Sequence, residues 1–129
     1  MSTLFTKIVN GEIPCHNVLE SDKFLAFLDI MPIKRGHVLV IPKLEVDYIF
    51  DLEDDLLGEM IIFSKKVAKK MQKVHQCNRI GITVIGLEVP HAHIHLVPID
   101  KLDDMNFAKE KLKLSSDELA QIAKDIAEA

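Results

Sequence analysis

Three histidines at alternating positions, His91, His93 and His95, stand in the run Pro90-His-Ala-His-Ile-His-Leu-Val-Pro98. In an extended strand side chains point to opposite faces with period two, so the three imidazoles share one face and Ala92, Ile94 and Leu96 share the other. The apolar set reads as core and the imidazole set as the floor of a site. Half of the chain's six histidines fall in these five residues, too many for an incidental solvated face. One metal ion cannot take all three, because same-face neighbours on a regular strand are about 6.5 Å apart and zinc holds each nitrogen at about 2.0–2.1 Å. Two of them would need outside help, and Cys15 and Cys77 stand alone, with no C-x-x-C and no H-E-x-x-H. What remains is imidazole chemistry, in which one histidine attacks an electrophile while its neighbours hold or protonate what surrounds it.

The elements that must position this face follow from the hydrophobic pattern. A short amphipathic helix over about Leu4 to Asn10 ends at Asn10-Gly11, and Pro14 prevents its resumption. Strands are predicted at about Asn17 to Glu20, Phe24 to Asp29 and His37 to Ile41, separated by turn signals. From about Leu52 to Gln76 the apolar residues Leu56, Met60, Phe63, Val67, Met71 and Val74 recur at three and four, which is a long helix packed on a sheet. Two more strands, about Arg79 to Ile85 and Pro90 to Val97, turn around Gly86. The first of these is so apolar that, as an edge, it invites a partner. A last helix runs from about Ser116 to Ala127, with Ser115 or Ser116 as N-cap. The whole is an α+β domain with an antiparallel sheet of about five strands, one long helix and short terminal helices.

Composition narrows the class. The 129 residues make a single domain, residues 1–129, that buries roughly two thirds of the surface its unfolded chain exposes. A net charge of −4, from 16 basic and 20 acidic residues, carries no global footprint for nucleic acid. The one basic cluster, Lys65, Lys66, Lys69, Lys70 and Lys73, has helical spacing and reads as a solvated face. Two distant cysteines favour a reducing compartment. With no charged start leading into an apolar h-region and no apolar run of about 18 residues, the expectation is a cytoplasmic protein without membrane contact.

The pattern His-x-His-x-His followed by two apolar residues, His91 to Val97, resembles the signature of the histidine triad (HIT) family of hydrolases and transferases acting on nucleotide α-phosphates. The likeness extends to Leu4-Phe-Thr-Lys-Ile-Val-Asn-Gly-Glu-Ile-Pro14, Phe24-Leu-Ala-Phe-Leu-Asp-Ile-Met-Pro32 and Gly36-His-Val-Leu-Val-Ile-Pro-Lys43, in the family's order. It lies nearest the bacterial members of the nucleoside phosphoramidate hydrolase branch. The resemblance implies a HIT-like fold, a homodimer with its sheet continued across a two-fold interface, a purine nucleotide substrate and no cofactor. It makes His93 the nucleophile that forms a nucleotidyl-histidine, which water then cleaves. Imidazole suits that role because it is substantially neutral near pH 7 and nucleophilic. By the same resemblance His95 contacts phosphate and can pass a proton, His91 orients and tunes, and His37 borders the phosphate. Asp29 takes the ribose hydroxyls, and Leu4, Phe5, Ile8, Phe27, Leu28 and Ile30 line the base. His16 and His75 match nothing and are expected at the surface.

Departures from the family pattern are as informative. Many bacterial members carry a zinc-binding C-x-x-C near the start, at positions that are here Thr3 and Thr6, and a histidine two residues after Ile-Pro-Lys that is here Glu45; structural zinc is not expected. The stretch before the triad lacks the phosphate-side Asn and Gln. Leu87 stands for the Gln, and Glu88 brings a carboxylate where a hydroxyl often sits. Alternatives to the phosphoramidate hydrolase are therefore a dinucleoside polyphosphate hydrolase and a nucleotide-binding regulator with weak catalysis. Against the polyphosphate stands the absence of any Lys or Arg between Ile80 and Asp100.

Overall fold

Two strands that are buried at every position, β2 (Phe24–Leu28) and β3 (Val38–Pro42), set the architecture. A strand apolar on both faces has to be covered on both faces. The computed structural model describes residues 3–129. Around this pair it places β1 (Asn17–Glu20), β4 (Arg79–Thr83) and β5 (Ile94–Ile99) in the antiparallel order β1-β2-β3-β5-β4. On one face Phe24, Ala26, Leu28, Val38, Val40, Ile94 and Leu96 pack against α2 (Asp54–Val74) and α3 (Ser116–Ala127). On the other, Leu25, Phe27, Leu39 and Ile41 pack against Phe5 of α1 (Leu4–Val9).

The helix stripe is the one the spacing predicts. Met60, Phe63, Val67 and Met71 are buried along α2, each contributing roughly 1.5–3 kcal/mol of burial. Val74, expected to continue the stripe, is exposed, because the helix ends there and the chain leaves the sheet. Lys65, Lys66, Lys69 and Lys73 lie on the solvated side. The capping of α3 is reciprocal, with Ser115 Oγ accepting from Glu118 N–H and Glu118 reaching back to Ser115 N–H. Among the described residues no helix is long and apolar enough to cross a membrane.

The triad segment departs from the expected strand. The ladder begins only at Ile94, because Ala92 N–H donates to the carbonyl of Val46 (2.7 Å) and His91 N–H to that of Val89 (2.8 Å), outside the sheet. At its far end β5 runs on to Ile99, past Pro98. There β5 has left β3, which it pairs only from Ile94 to Leu96, so the missing N–H faces no strand. Alternation survives the irregular start, since Ala92, Ile94 and Leu96 enter the helix-side core while all three imidazoles turn to the other face.

His75 is not the surface residue expected. Its ring lies over Gly36, whose φ of +89° only glycine adopts readily and where a Cβ would overlap the ring. Its Nε2 is buried with no hydrogen-bonding partner among the described residues. Gly36 delivers the chain into His37, so the contact sets the entry of β3. Gly36→Ala should therefore lower stability by about 2–4 kcal/mol, from the left-handed backbone and the overlap together. In a His75→Ala background the same change should cost only about 1–2 kcal/mol, the backbone part. Denaturant titration of the four proteins checks this.

Candidate functional site

The side chains of His37, His91, His93 and His95 are all buried, between 0% and 7% exposed, at the β3–β5 end of the sheet. Hydrogen bonds determine which nitrogen of each carries the proton. His93 Nδ1 lies 2.8 Å from the carbonyl oxygen of His91, so Nδ1–H donates and Nε2 keeps its lone pair. Ile33 N–H donates to His37 Nδ1 (3.2 Å), so the proton of His37 is on Nε2, which donates to His95 Nδ1 at 2.9 Å. His95 is left with Nε2–H as a donor. One ring thus offers a lone pair, its neighbour on the strand offers a proton, and their centroids are 4.9 Å apart.

Burial keeps His37 and His95 neutral. It pushes His37 down to about 3, with His95 beside it adding to the effect, and His95 down to about 4, with His93 adding. Asp29 follows β2, its N–H bonded to the carbonyl of His37 and its Oδ1 accepting from Met31 N–H (2.9 Å). Oδ2 is 3.8 Å from His37 Nε2, a contact to a neutral ring's N–H and not an ion pair. Burial raises the Asp29 carboxyl above its usual value, opposed by the Met31 N–H and the Lys111 charge.

Asp29, His37, His93 and His95 line one side of a cleft of about 410 Å³, a size that suits a small-molecule ligand. Ile85, Gly86, Leu87 and Glu88 line a second side. Phe107 and Lys111 line a third, and sequence reasoning missed both, because they lie on an irregular segment with no periodicity or motif to mark it. Phe107 stands edge-on to His95, with centroids 4.8 Å apart. The absence of Lys and Arg between Ile80 and Asp100 does not leave the cleft without a cation, because Lys111 enters it from outside the triad segment.

The residues assigned to the base separate into three groups. Phe5 packs edge-on against His93 (5.1 Å), His91 (5.8 Å) and Phe27 (5.6 Å), with Ile8 against the same cluster. Leu4 and Ile30 are exposed, 49% and 65%. Leu28 is a correction: strand alternation turns it away from Phe27 and into the helix-side core, where no ligand of this cleft reaches.

His91 anchors the segment that carries His93 rather than entering the cleft lining. Its Nε2–H donates to the carbonyl of Pro42 (2.8 Å), and its Nδ1 accepts from the Thr3 hydroxyl (2.9 Å). The Thr6 hydroxyl and Thr3 N–H both donate to Glu45 Oε1, at 2.6 and 2.8 Å. The three positions that the resemblance associates with zinc thus converge with His91. Their donors are hydroxyls and a carboxylate already committed to one another, a set that does not fit an ion preferring thiolate and imidazole. A different group has metal-ligand spacing: Asp29, His37 and His95 each offer an atom within 4.8 Å of the others. His37 and Asp29 are remote from the triad in sequence and form neither a C-x-x-C nor an H-E-x-x-H, so no local motif marks this group. An ion there would have to displace the proton shared between His37 and His95.

Residues 10–102 match the HIT domain family. The chain is 32% identical over 132 residues to an uncharacterized HIT-like protein of Borreliella burgdorferi, covering 96% of this chain and 95% of that one. It is 37% identical over 100 residues to an adenosine 5′-monophosphoramidase of Schizosaccharomyces pombe, 76% of this chain and 74% of the relative. Its fold superposes with a TM-score of 0.86 on a crystal structure of a Hit-like protein involved in cell-cycle regulation from Bartonella henselae, at 30% identity, covering 98% of this chain and 95% of that one. The fold and the histidine cluster together define a histidine triad protein. The chain belongs to the HIT family.

Neutral buried histidines have a consequence for stability. His37 and His95 protonate at about 6.5 when unfolded but only at about 3 and 4 when folded. Their contribution is complete above the unfolded value and is lost as pH falls through the window down to the folded values. Melting temperature should be steady from about pH 7 to 8 and fall progressively below about 6.5. His37→Gln should flatten that fall, as thermal melts across the pH range would show.

Proposed function

We propose that this chain is a nucleotide hydrolase that cleaves the bond between the α-phosphate and an amine leaving group, a purine nucleoside phosphoramidate hydrolase. The observation that carries the reading is the His93 Nδ1–H bond to the His91 carbonyl, which leaves Nε2 unprotonated beside a ring that can donate. In the first step the Nε2 lone pair forms a bond to the α-phosphorus and the phosphorus–nitrogen bond breaks; the amine departs with a proton drawn from solvent, while the His95 Nε2–H donates a hydrogen bond to the reacting group. In the second, water attacks phosphorus, one of its protons returns to solvent, and the bond to Nε2 breaks to release nucleoside monophosphate. Two moderate barriers replace one high one.

The His37 Nε2–H holds His95 in the tautomer that donates. Asp29 is the acceptor for the ribose hydroxyls, since a carboxylate takes two hydrogen bonds at once. Phe5, Phe27 and Ile8 back the nucleoside end, and Leu4 and Ile30 are the exposed apolar side chains free to meet the base. The naming of an adenosine 5′-monophosphoramidase among the relatives supports this substrate class. The second reading, a dinucleoside polyphosphate hydrolase, gains from Lys111 in the cleft, yet one cation faces both Asp29 and Glu88 there.

Adenosine and guanosine phosphoramidates with small amines should be hydrolysed with far higher specificity constants than diadenosine polyphosphate. His93→Ala should lower turnover by roughly three orders of magnitude or more while nucleoside monophosphate still binds. A preference for the polyphosphate would favour the second reading, and tight nucleotide binding with negligible turnover in the unaltered protein would favour a regulator.

The same reading includes a homodimer. β4 is the sheet edge, and Ile82, Val84 and Ile85 on and after it are exposed, beside an apolar groove that also holds Tyr48, Phe50 and Ile61. A second copy pairing across that edge would cover them. Light scattering should give a dimer mass at micromolar concentration, and Ile82→Asp should give a monomer.

A further inference from the structure

The segment after β5 crosses the histidine end of the cleft, and its residues 103–112 lie beyond the part of the chain that matches the family. Both its ends are fixed. At one, the buried Asp104 carboxylate accepts from the N–H groups of Asp100 (2.8 Å) and Lys101 (3.2 Å) within a 3₁₀ turn, Leu102–Met105. At the other, Leu112 N–H donates to the carbonyl of Pro32 (2.8 Å). Between them Phe107 stands against His95 and His37, and the ammonium of Lys111 donates to the carbonyl of Phe107 at 2.6 Å. Nζ is 5.7 Å from the centroid of the same ring.

Lys23, Lys34, Lys43 and Lys109 each pair with a carboxylate, and Lys70 donates to the backbone oxygens of Ala127 and Ala129 away from the cleft. Lys111 forms no ion pair among the described residues. It is half-buried, and among the lining residues of the cleft it is the single cation. His37 and His95 are held neutral by burial, so they can donate hydrogen bonds to a phosphate but do not balance its charge. Leu87, also in the lining, has no polar atom on its side chain.

We propose that Lys111 is a substrate-binding residue whose ammonium neutralises the α-phosphate of a nucleotide held over His93. The proposal rests on the reading that the cleft takes a nucleotide. Its bond to a neutral carbonyl aims the ammonium without quenching it, and the phosphate replaces water as the other partner. A charge-assisted contact of this kind is strongest where water is thinned out, as between Phe107 and the histidine floor.

Calorimetric titration of adenosine and guanosine 5′-monophosphates, with the parent nucleosides as controls, tests it on the unaltered protein, Lys111→Met and Lys111→Arg. Lys111→Met should weaken monophosphate binding about ten- to a hundredfold and reduce its salt dependence, and should leave nucleoside binding unchanged. Lys111→Arg should restore most of the affinity. A loss of nucleoside and monophosphate affinity alike would mean that Lys111 only holds the segment in place, and an unchanged monophosphate affinity would mean that it touches nothing; either overturns the proposal while leaving the hydrolase reading intact. Charge-dependent monophosphate binding without phosphoramidate turnover would keep Lys111 and sink that reading. Failure of the unaltered protein to bind any monophosphate would remove both.

Discussion

The site depends on one hydrogen bond, from His93 Nδ1–H to the carbonyl of His91. An imidazole has one lone pair to give when neutral, and the position of its proton decides where that lone pair points. Fixing the proton on Nδ1 with a backbone acceptor two residues earlier needs no further side chain, but it needs the peptide at residue 91 to be immobile. His91 provides that, bonded at both ring nitrogens, to the Pro42 carbonyl at the end of β3 and to the Thr3 hydroxyl at the start of α1. The tautomer of His93 is thereby tied to the packing of an N-terminal helix and a central strand.

That dependence explains why the sheet is covered on both faces. The helix-side core of α2 and α3 holds Ala92, Ile94 and Leu96 and so fixes the strand that carries the histidines. The smaller cluster of Phe5, Leu25, Phe27, Leu39 and Ile41 fixes α1 against the other face. Phe5 belongs to both arrangements, because its ring also meets the edges of His91 and His93. Glu45, Thr3 and Thr6 hold this corner with hydrogen bonds. Exposed bonds of this kind are individually weak, about 0.5–1.5 kcal/mol each, so the corner relies on several of them together.

Much of this was readable in advance, for reasons that differ by element. The period of α2 and the Ser115 cap of α3 are local signals, and both are where the pattern puts them. The continuous apolar runs of β2 and β3 mark strands covered on both faces, and alternation along the triad separates core from site even where the ladder is absent. The same alternation, applied to β2, would have removed Leu28 from the base pocket; the resemblance alone placed it there. Other contacts had no local signature. The His37–His95 bond joins residues 58 apart in sequence, and the ring of His75 over Gly36 is likewise a product of how the chain closes. Phe107 and Lys111 sit on irregular backbone, where neither period two nor period 3.6 applies.

Charge balance connects these observations to the chemistry. Burial holds His37 and His95 neutral, so each keeps a lone pair as well as an N–H beside His93. The same burial removes the positive charge that a phosphate site ordinarily supplies through protonated histidine. A nucleotide entering a cleft with neutral imidazoles, Asp29 and Glu88 would meet net repulsion unless a cation came from elsewhere in the chain. The segment after β5 brings Lys111 to that place and fixes it through a backbone carbonyl, leaving its charge free. Separating the functions in this way lets the histidines arrange lone pairs and N–H donors while a tethered ammonium outside the triad carries the charge.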